Sequence, residues 1–115
     1  MKLIAKGLGV SKGKAIGIVR IVTKDSPMRN FAENEILVAH ITDPTMVSLM
    51  NKAKAIVCNI GGRTSHPSIL SREMGIPCIV SAKCVKTGKG ITEILSDGQE
   101  IMIDGTSGEI HNLGD

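Results

Sequence analysis

The chain has 115 residues, a formal net charge of +3 and a hydrophobic fraction of 42%, and Phe31 is its only aromatic residue. A chain of this size allows one domain with its own core, and this composition argues against disorder. Nucleic-acid binding is disfavoured because a lone aromatic side chain cannot form a platform for stacked bases. A membrane protein is also disfavoured, because no apolar stretch approaches the roughly 18 residues of a membrane-spanning helix.

The cysteine content bears on the compartment in which the protein works. Three cysteines, Cys58, Cys78 and Cys84, cannot all pair within one chain. The charged first residues do not resemble a secretory signal, so we expect reduced thiols in a cytoplasmic protein. A metal site built from these thiols and His66 is the alternative, but the spacing of Cys78 and Cys84 matches no ordinary zinc motif. We therefore expect no metal site in this chain.

Short apolar runs separated by glycine dominate the first part of the chain. Residues 2–5 predict a strand, and the glycine-rich residues 7–13 predict a loop. Isoleucine and valine are frequent in residues 15–23, which predict a buried strand. The polar stretch 24–35 has no clear period and predicts a loop, whereas residues 36–39 predict a short core strand.

The middle of the chain alternates between helices and strands. Asp43 and Pro44 favour the start of a helix, through an acidic cap and a proline in the first turn. The next strand is predicted over Ala55–Cys58, and a second helix over residues 67–74, with Gly75 as its left-handed cap. The apolar residues expected to face the core at helical spacing are Met46, Leu49, Met50 and Ala53 in the first helix and Ile69, Leu70 and Met74 in the second.

The C-terminal part predicts further β-structure. Residues 77–81 and 91–95 predict strands, and residues 100–104 with 108–111 predict a hairpin. We therefore expect an α/β fold in which residues 1–115 form one compact domain. A mixed sheet is expected at its core, with helices after Thr45 and His66.

Residues 61–66, Gly-Gly-Arg-Thr-Ser-His, carry the strongest functional signal. The two glycines allow a tight turn and leave room for a bulky anion. Pro67 favours a helix that starts directly after His66, and the free N–H groups and positive dipole of a helix start favour a phosphate. An imidazole beside such an anion site can accept a phosphoryl group as a nucleophile. The motif therefore predicts a phosphorylated histidine.

Residues 61–80, GGRTSHPSILSREMGIPCIV, resemble the phosphohistidine segment of the mobile, swivelling domain of enzymes that use phosphoenolpyruvate. This family includes pyruvate, phosphate dikinase, phosphoenolpyruvate synthase and the first enzyme of the sugar phosphotransferase system. Residues 9–17, 36–44 and 97–110 resemble other segments of the same domain. The resemblance extends over about residues 7–113 and implies the swivelling β/β/α fold.

The resemblance also implies roles for individual residues. His66 matches the histidine that is phosphorylated. Thr45 matches a threonine that approaches the phosphate from the preceding helix in some members, although a role in the first turn of its own helix is the alternative. The expected phosphate-binding residues are Gly62, Arg63, Thr64, Ser65 and Thr45.

The full enzymes of this family carry an ATP-grasp domain and a (β/α)₈ barrel that binds phosphoenolpyruvate, and this sequence contains neither. The resemblance therefore implies a stand-alone phosphohistidine carrier, a phosphotransferase component that is incomplete as an enzyme. We expect its ATP-grasp or barrel partners to be separate chains, with Mg²⁺ bound on their side. The alternatives are a non-catalytic anion-binding or regulatory docking module, and a fragment or degenerate copy of a full enzyme.

Overall fold

The sheet closes into a barrel of seven strands in the computed structural model, which describes residues 1–23 and 31–114. The strands are β1 (Lys2–Ser11), β2 (Lys14–Ile21), β3 (Glu35–Ala39), β4 (Ala55–Cys58), β5 (Cys78–Cys84), β6 (Glu100–Asp104) and β7 (Glu109–Asn112). Around the barrel they follow the order β1, β5, β4, β3, β2, β6, β7, and β7 pairs with β1. The pairs β2–β3, β3–β4 and β4–β5 are parallel, and the other pairs are antiparallel. The predicted mixed sheet is confirmed, whereas its closure was not predicted.

Short helices follow strands β3, β4 and β5 along the chain. The described residues contain a 3-10 helix (Pro44–Met46), α1 (Val47–Lys52), α2 (His66–Met74) and α3 (Ile91–Ile94). The carboxylate of Asp43 accepts a hydrogen bond from the backbone N–H of Thr45 at 2.8 Å and caps the 3-10 helix. Gly75 ends α2 with a φ of 71°, as predicted. The predicted helices after Thr45 and His66 are thus confirmed.

No helix in residues 1–23 or 31–114 is both long enough and apolar enough to cross a membrane.

Apolar side chains form two packed clusters on opposite faces of the parallel strands. Ile36 and Val38 of β3 belong to the cluster inside the barrel, to which all seven strands contribute. Leu37 and Ala39 belong to the outer cluster, where Met50 and neighbouring residues of α1 pack. Parallel strands that are buried on both faces consist of continuous apolar runs, which is why these strands were predictable.

Strand β1 continues through a segment that was predicted as a loop. Gly7 and Gly9 both lie within the strand, and its pairing with β5 changes register at Gly7 and directly after Gly9. A Cβ at Gly7 would lie 2.6 Å from the carbonyl oxygen of Val80, and one at Gly9 would lie 2.3 Å from that of Gly105. The glycines therefore permit close backbone approach at β-bulges and do not form a turn.

The strand predicted over residues 91–95 is wrong, because this segment contains the short helix α3. Ile91 and Leu95, one helical turn apart, are both buried in the inner cluster. The backbone N–H of Thr92 donates to Oδ1 of Asn59 at 3.0 Å. A short apolar run is compatible with either a strand or a helix, and the contact with Asn59 is not visible in the local sequence.

The buried face of α2 also differs from the prediction. Ile69 was expected to face the core but is 42% exposed, whereas Ser68 and Ser71 are fully buried. Leu70 and Met74 pack at the edge of the outer cluster, as predicted. The prediction for Ile69 is wrong because the helix presents small hydroxyl side chains to the barrel, and hydrophobicity alone does not identify that face.

Other boundaries of strands and loops differ from the predicted ones by a few residues. Strand β5 starts one residue later than predicted and extends to Cys84, and the predicted terminal hairpin is confirmed as β6 and β7. Of the predicted loop 24–35, residues 24–30 lie outside the described residues. Residues 31–34 contain neither helix nor strand, and Glu35 already belongs to β3.

Candidate functional site

The sequence motif occupies the loop between β4 and α2. Strand β4 ends at Cys58, and α2 begins at His66, one residue earlier than predicted. Ser65 precedes the helix in an extended conformation, with φ −71° and ψ 163°, and its side chain makes no capping hydrogen bond. His66 therefore lies in the first turn of a helix whose N-terminal N–H groups are not capped by that side chain.

The imidazole of His66 is held by the side chain of Thr42. Nδ1 of His66 lies 2.8 Å from Oγ1 of Thr42. Thr42 is 3% exposed, and His66 is half-buried. Within the described ranges, Nε2 of His66 has no hydrogen-bond partner, and it is not a buried atom. One ring nitrogen is therefore fixed, and the other is unpaired and not fully buried.

The parallel pairing of β3 and β4 brings Thr42 and His66 together. Ala39 pairs with Cys58 at the ends of the two strands, so the segments that follow leave the same edge of the sheet. The backbone N–H of Thr42 also donates a hydrogen bond to the thiol of Cys58. Thr42 is thus bound both to the end of β4 and to the first residue of α2.

Serine side chains hold the glycine pair in place. Oγ of Ser81 donates to the carbonyl oxygen of Gly61 at 2.8 Å. The carbonyl oxygen of Gly62 lies 2.6 Å from Oγ of Ser68 and 2.8 Å from Oγ of Ser65. The glycine backbone is therefore attached to β5 on one side and to α2 on the other.

Arg72 holds the next carbonyl group of the loop. Its Nη2 donates to the carbonyl oxygen of Arg63, and its Nη1 donates to that of Val10 in β1 at 3.3 Å. Among the described residues Arg72 forms no ion pair with Glu73. Arg72 therefore connects the loop before His66 with strand β1 of the barrel.

The predicted phosphate-binding residues fall into two groups. Arg63 and Thr64 are exposed, and neither side chain has a partner among residues 1–23 and 31–114. The hydroxyl groups of Ser65 and Thr45 already have partners, since Ser65 is bonded to the loop backbone and Thr45 donates to the carboxylate of Asp43. The structure places Gly62, Arg63, Thr64 and Ser65 in one loop before His66, and it places Thr45 against Asp43.

Sequence analysis missed four residues that contact the site: Thr42, Ser68, Arg72 and Ser81. The available signal for Thr42 was its position directly before the helix cap, at the carboxyl end of a predicted core strand. Ser68 and Arg72 belong to the matched segment, but nothing in the local sequence shows that their side chains reach back to the loop.

Among the described residues, no cysteine thiol is hydrogen-bonded to His66. Burial raises the pKa of Cys58 and raises that of Cys78 to about 12. Hydrogen bonds, first from the hydroxyl of Thr87, lower the pKa of the Cys84 thiol. In the part of the chain that the structure describes, no three His, Cys, Asp or Glu side chains are arranged to hold a metal ion. The thiol metal site considered as an alternative thus receives no support.

Comparisons with known proteins identify relatives of most of the chain. The chain is 42% identical over 110 residues to phosphoenolpyruvate synthase from Pyrococcus furiosus, and the match covers 96% of this chain and 13% of that protein. The chain therefore corresponds to a small part of this relative's length.

Two solved structures share the fold. The holo-form of aconitase X from Thermococcus kodakaraensis superposes with a TM-score of 0.70 at 17% identity, covering 96% of this chain and 98% of that chain. A solution structure of an Enzyme I protein superposes with a TM-score of 0.60 at 22% identity, covering 78% of this chain and 35% of that one. At these identities the likeness concerns the fold alone.

The family described as PEP-utilising enzyme, mobile domain, matches residues 31–108, which include the loop, His66 and all of α2. Since this match extends over more than half of the sequence, the chain belongs to the family of mobile domains of PEP-utilising enzymes.

Proposed function

We propose that the chain is a phosphohistidine carrier that accepts a phosphoryl group on His66 and passes it to a second site. The observation that carries this proposal is the imidazole itself, with Nδ1 held by Thr42 and Nε2 open at the start of α2. A nucleophile needs a fixed orientation and an accessible lone pair, and this arrangement provides both. Membership of the mobile-domain family supports phosphotransfer between phosphoenolpyruvate-, pyruvate- and ATP-type sites.

Nε2 is the nitrogen that we assign as the nucleophile. When Nδ1 carries the ring proton and donates it to Oγ1 of Thr42, Nε2 has a free lone pair. This lone pair attacks phosphorus, and the bond between phosphorus and the leaving group breaks as the leaving group takes the bonding electrons. Nδ1 keeps its proton, so the phosphorylated ring carries a positive charge next to the phosphoryl oxygens. Transfer to the acceptor reverses these steps.

Arg63, Thr64 and the first N–H groups of α2 are the groups that we assign to the phosphoryl charge. Both side chains are exposed and adjacent to the nucleophile in sequence. A guanidinium group and a helix N-terminus both stabilise phosphate oxygens. Ser65, by contrast, shapes the loop through its bond to Gly62, and it would have to break that bond to reach a phosphate.

A carrier needs two partner sites. The match covers 13% of the Pyrococcus furiosus relative, so most of that protein lies in other segments. We assign the donor and the acceptor to an ATP-grasp partner and a phosphoenolpyruvate-binding barrel, with Mg²⁺ on the phosphate oxygens of the donor. A swivelling movement of the barrel that carries His66 would present the imidazole to each partner in turn.

The test is phosphorylation with a matched histidine control. The wild-type chain, His66→Ala and His40→Ala are incubated with labelled phosphoenolpyruvate or ATP and an extract of the expressing cells as the source of donor protein. His40 is an exposed histidine at the end of β3 and serves as the control. We expect label on the wild type and on His40→Ala but not on His66→Ala, and the label should be acid-labile and base-stable, as a phosphoramidate is. Undiminished or acid-stable label on His66→Ala contradicts the assignment. If no donor labels the wild-type chain, the result favours the non-catalytic docking module.

A further inference from the structure

We propose that three side-chain anchors turn the loop before His66 into a phosphate-binding surface made of backbone N–H groups. The anchors are Ser68, Arg72 and Ser81. This inference rests on the proposed function, and it adds positioning residues that the family motif does not assign to the phosphate.

Each anchor holds a different carbonyl group, and the three carbonyl groups are consecutive. Ser68 is fully buried, so its hydroxyl reaches the loop from the protein side. The hydrogen bonds are Ser81 to the carbonyl of Gly61, Ser68 to that of Gly62, and Arg72 to that of Arg63.

The geometry of the peptide bond then determines where the N–H groups point. All peptide bonds in the described residues are trans. In a trans peptide, the C=O group and the N–H group of the following residue point in opposite directions. Because the carbonyl groups of residues 61–63 are held by Ser81, Ser68 and Arg72, the N–H groups of residues 62–64 point away from these three side chains.

These N–H groups are available for a ligand. Gly62, Arg63 and Thr64 are all exposed. None of their N–H groups has an acceptor in the part of the chain that the structure describes. A run of free backbone N–H groups on one side of a loop is a concavity suited to an anion.

The same loop ends directly before the nucleophile. The N–H of Ser65 donates to the carbonyl oxygen of Gly62 at 3.2 Å and closes a turn directly before His66. Ser68, one residue beyond Pro67, joins this turn to the first turn of α2. In this proposal a phosphoryl group on His66 meets donors whose orientation is set before the group arrives, and such preorganised donors stabilise developing charge.

Ser81 provides a separate indication. Its φ is 53°, in the left-handed region that non-glycine residues seldom adopt, although it lies within β5. The hydroxyl that this conformation presents is the one that holds Gly61. Unfavourable backbone conformations persist where the surrounding structure requires them, and they concentrate at functional sites.

The experiment uses phosphoramidate, a small donor that needs no partner protein. Nε2 of His66 attacks its phosphorus, the P–N bond to the amino group breaks, and ammonia leaves after taking up a proton. Amide ¹H–¹⁵N spectra and intact mass are recorded before and after the reaction for the wild type, Ser81→Ala, Arg72→Lys and the control Ser96→Ala. Ser96 is exposed, and its hydroxyl has no partner among the described residues.

We expect the largest amide shifts of the wild type at residues 62–64 on phosphorylation. On phosphorylation, Ser81→Ala should lose the amide shift at Gly62, and Arg72→Lys should lose the amide shift at Thr64. Phosphorylation of His66 should be about tenfold slower in both variants than in the wild type. Ser96→Ala should match the wild type. A residue that only supports folding would lower the unfolding temperature without erasing one particular amide shift.

The other outcomes are distinguishable. If His66 is phosphorylated but amides 62–64 do not shift, or if the variants shift as the wild type does, the anchoring role is wrong and the carrier proposal stands. If phosphoramidate phosphorylates free histidine but leaves His66 unmodified, the imidazole is not a competent nucleophile, and both proposals fail.

Discussion

Oγ1 of Thr42 lies 2.8 Å from Nδ1 of His66, and this contact joins two segments that are 24 residues apart in the sequence. It orients the ring, and in the tautomer that carries the proton on Nδ1 it leaves the lone pair of Nε2 free. The hydroxyl of Thr42 is thus a hydrogen-bond partner of the fixed nitrogen, and its removal should affect chemistry more than folding.

Thr42→Val should slow the phosphorylation of His66 by about tenfold, which corresponds to about 1.4 kcal/mol of activation free energy. Valine keeps the shape of the side chain but removes the hydroxyl that holds the ring. Thr42→Ser, which keeps the hydroxyl, should retain most of the rate. The rates are measured by intact mass with phosphoramidate as the donor. If Thr42→Val reacts as fast as the wild type while Thr42→Ser reacts slowly, Thr42 only fills space.

Arg63→Ala should slow phosphoryl transfer by roughly a hundredfold, because removal of a preorganised charge partner typically costs a few kcal/mol of barrier. The exposed side chain has no partner in the described residues, so the unfolding temperature should stay nearly unchanged. Lys54→Ala, which removes another exposed positive charge, is the control and should change neither quantity. A variant that melts at a much lower temperature but transfers phosphate normally would show that Arg63 is structural.

The purified chain should not phosphorylate itself from ATP or phosphoenolpyruvate in the presence of Mg²⁺. In-line transfer requires a donor held in contact with the nucleophile and a metal clamp on its oxygens, which we assign to partner proteins. The measurement is the intact mass of the chain after incubation with each donor, with phosphoramidate as the positive control. A stoichiometric gain of one phosphate from the pure chain would make it a minimal enzyme in its own right.

The free energy of unfolding should decrease above about pH 9 because of the buried thiols. Burial raises the pKa of Cys78 from 9.0 to about 12 and raises that of Cys58 as well. Both thiols stay protonated in the folded state, while the unfolded chain releases their protons at its ordinary pKa. The stability that they confer is therefore fully present below pH 9 and is lost as the pH rises toward 12. We expect a loss of about 1.4 kcal/mol per pH unit for each thiol in that window.

Urea unfolding between pH 8 and pH 11 measures this slope. Cys78→Ala should make the slope above pH 9 shallower by about 1.4 kcal/mol per pH unit, with the remainder due to Cys58. Cys84→Ala should leave the slope above pH 9 unchanged, because the pKa of that half-buried thiol is lowered and its effect on stability lies below pH 9. An unchanged slope in Cys78→Ala would contradict the burial effect.

Much of the site's framework could be predicted from sequence because it depends on local patterns. Residues 36–39 and Ala55–Cys58 are apolar throughout, as parallel core strands are, and Asp43-Pro44 and Gly75 mark helix ends through their own backbone chemistry. The short distance along the chain between the glycine pair and His66 made the loop before His66 recognisable.

The contacts that complete the site could not be predicted in this way. Ser81 and Gly61 meet because β5 lies beside β4, and a serine in a sequence does not reveal which distant carbonyl it will meet. Gly7 and Gly9 could not be interpreted from the local sequence either. Their composition suggests a turn, but in the barrel they allow the backbone of β1 to lie close to other backbone segments. The Ser81–Gly61 contact and the close approach at the two glycines both depend on pairing between segments that are distant in the sequence.

Lys2 at the start of β1 pairs with Asn112 in β7, so the first and last strands are neighbours and their outer ends emerge side by side. A circular permutant that joins these ends and opens the chain at the exposed turn around Gly88 should therefore form the same barrel. In any longer protein that contains this barrel, both flanking connections would leave from a single point on its surface. Two connections that leave from adjacent points restrain the position of the barrel but permit its rotation. The whole barrel, with the loop before His66, could therefore turn as one body.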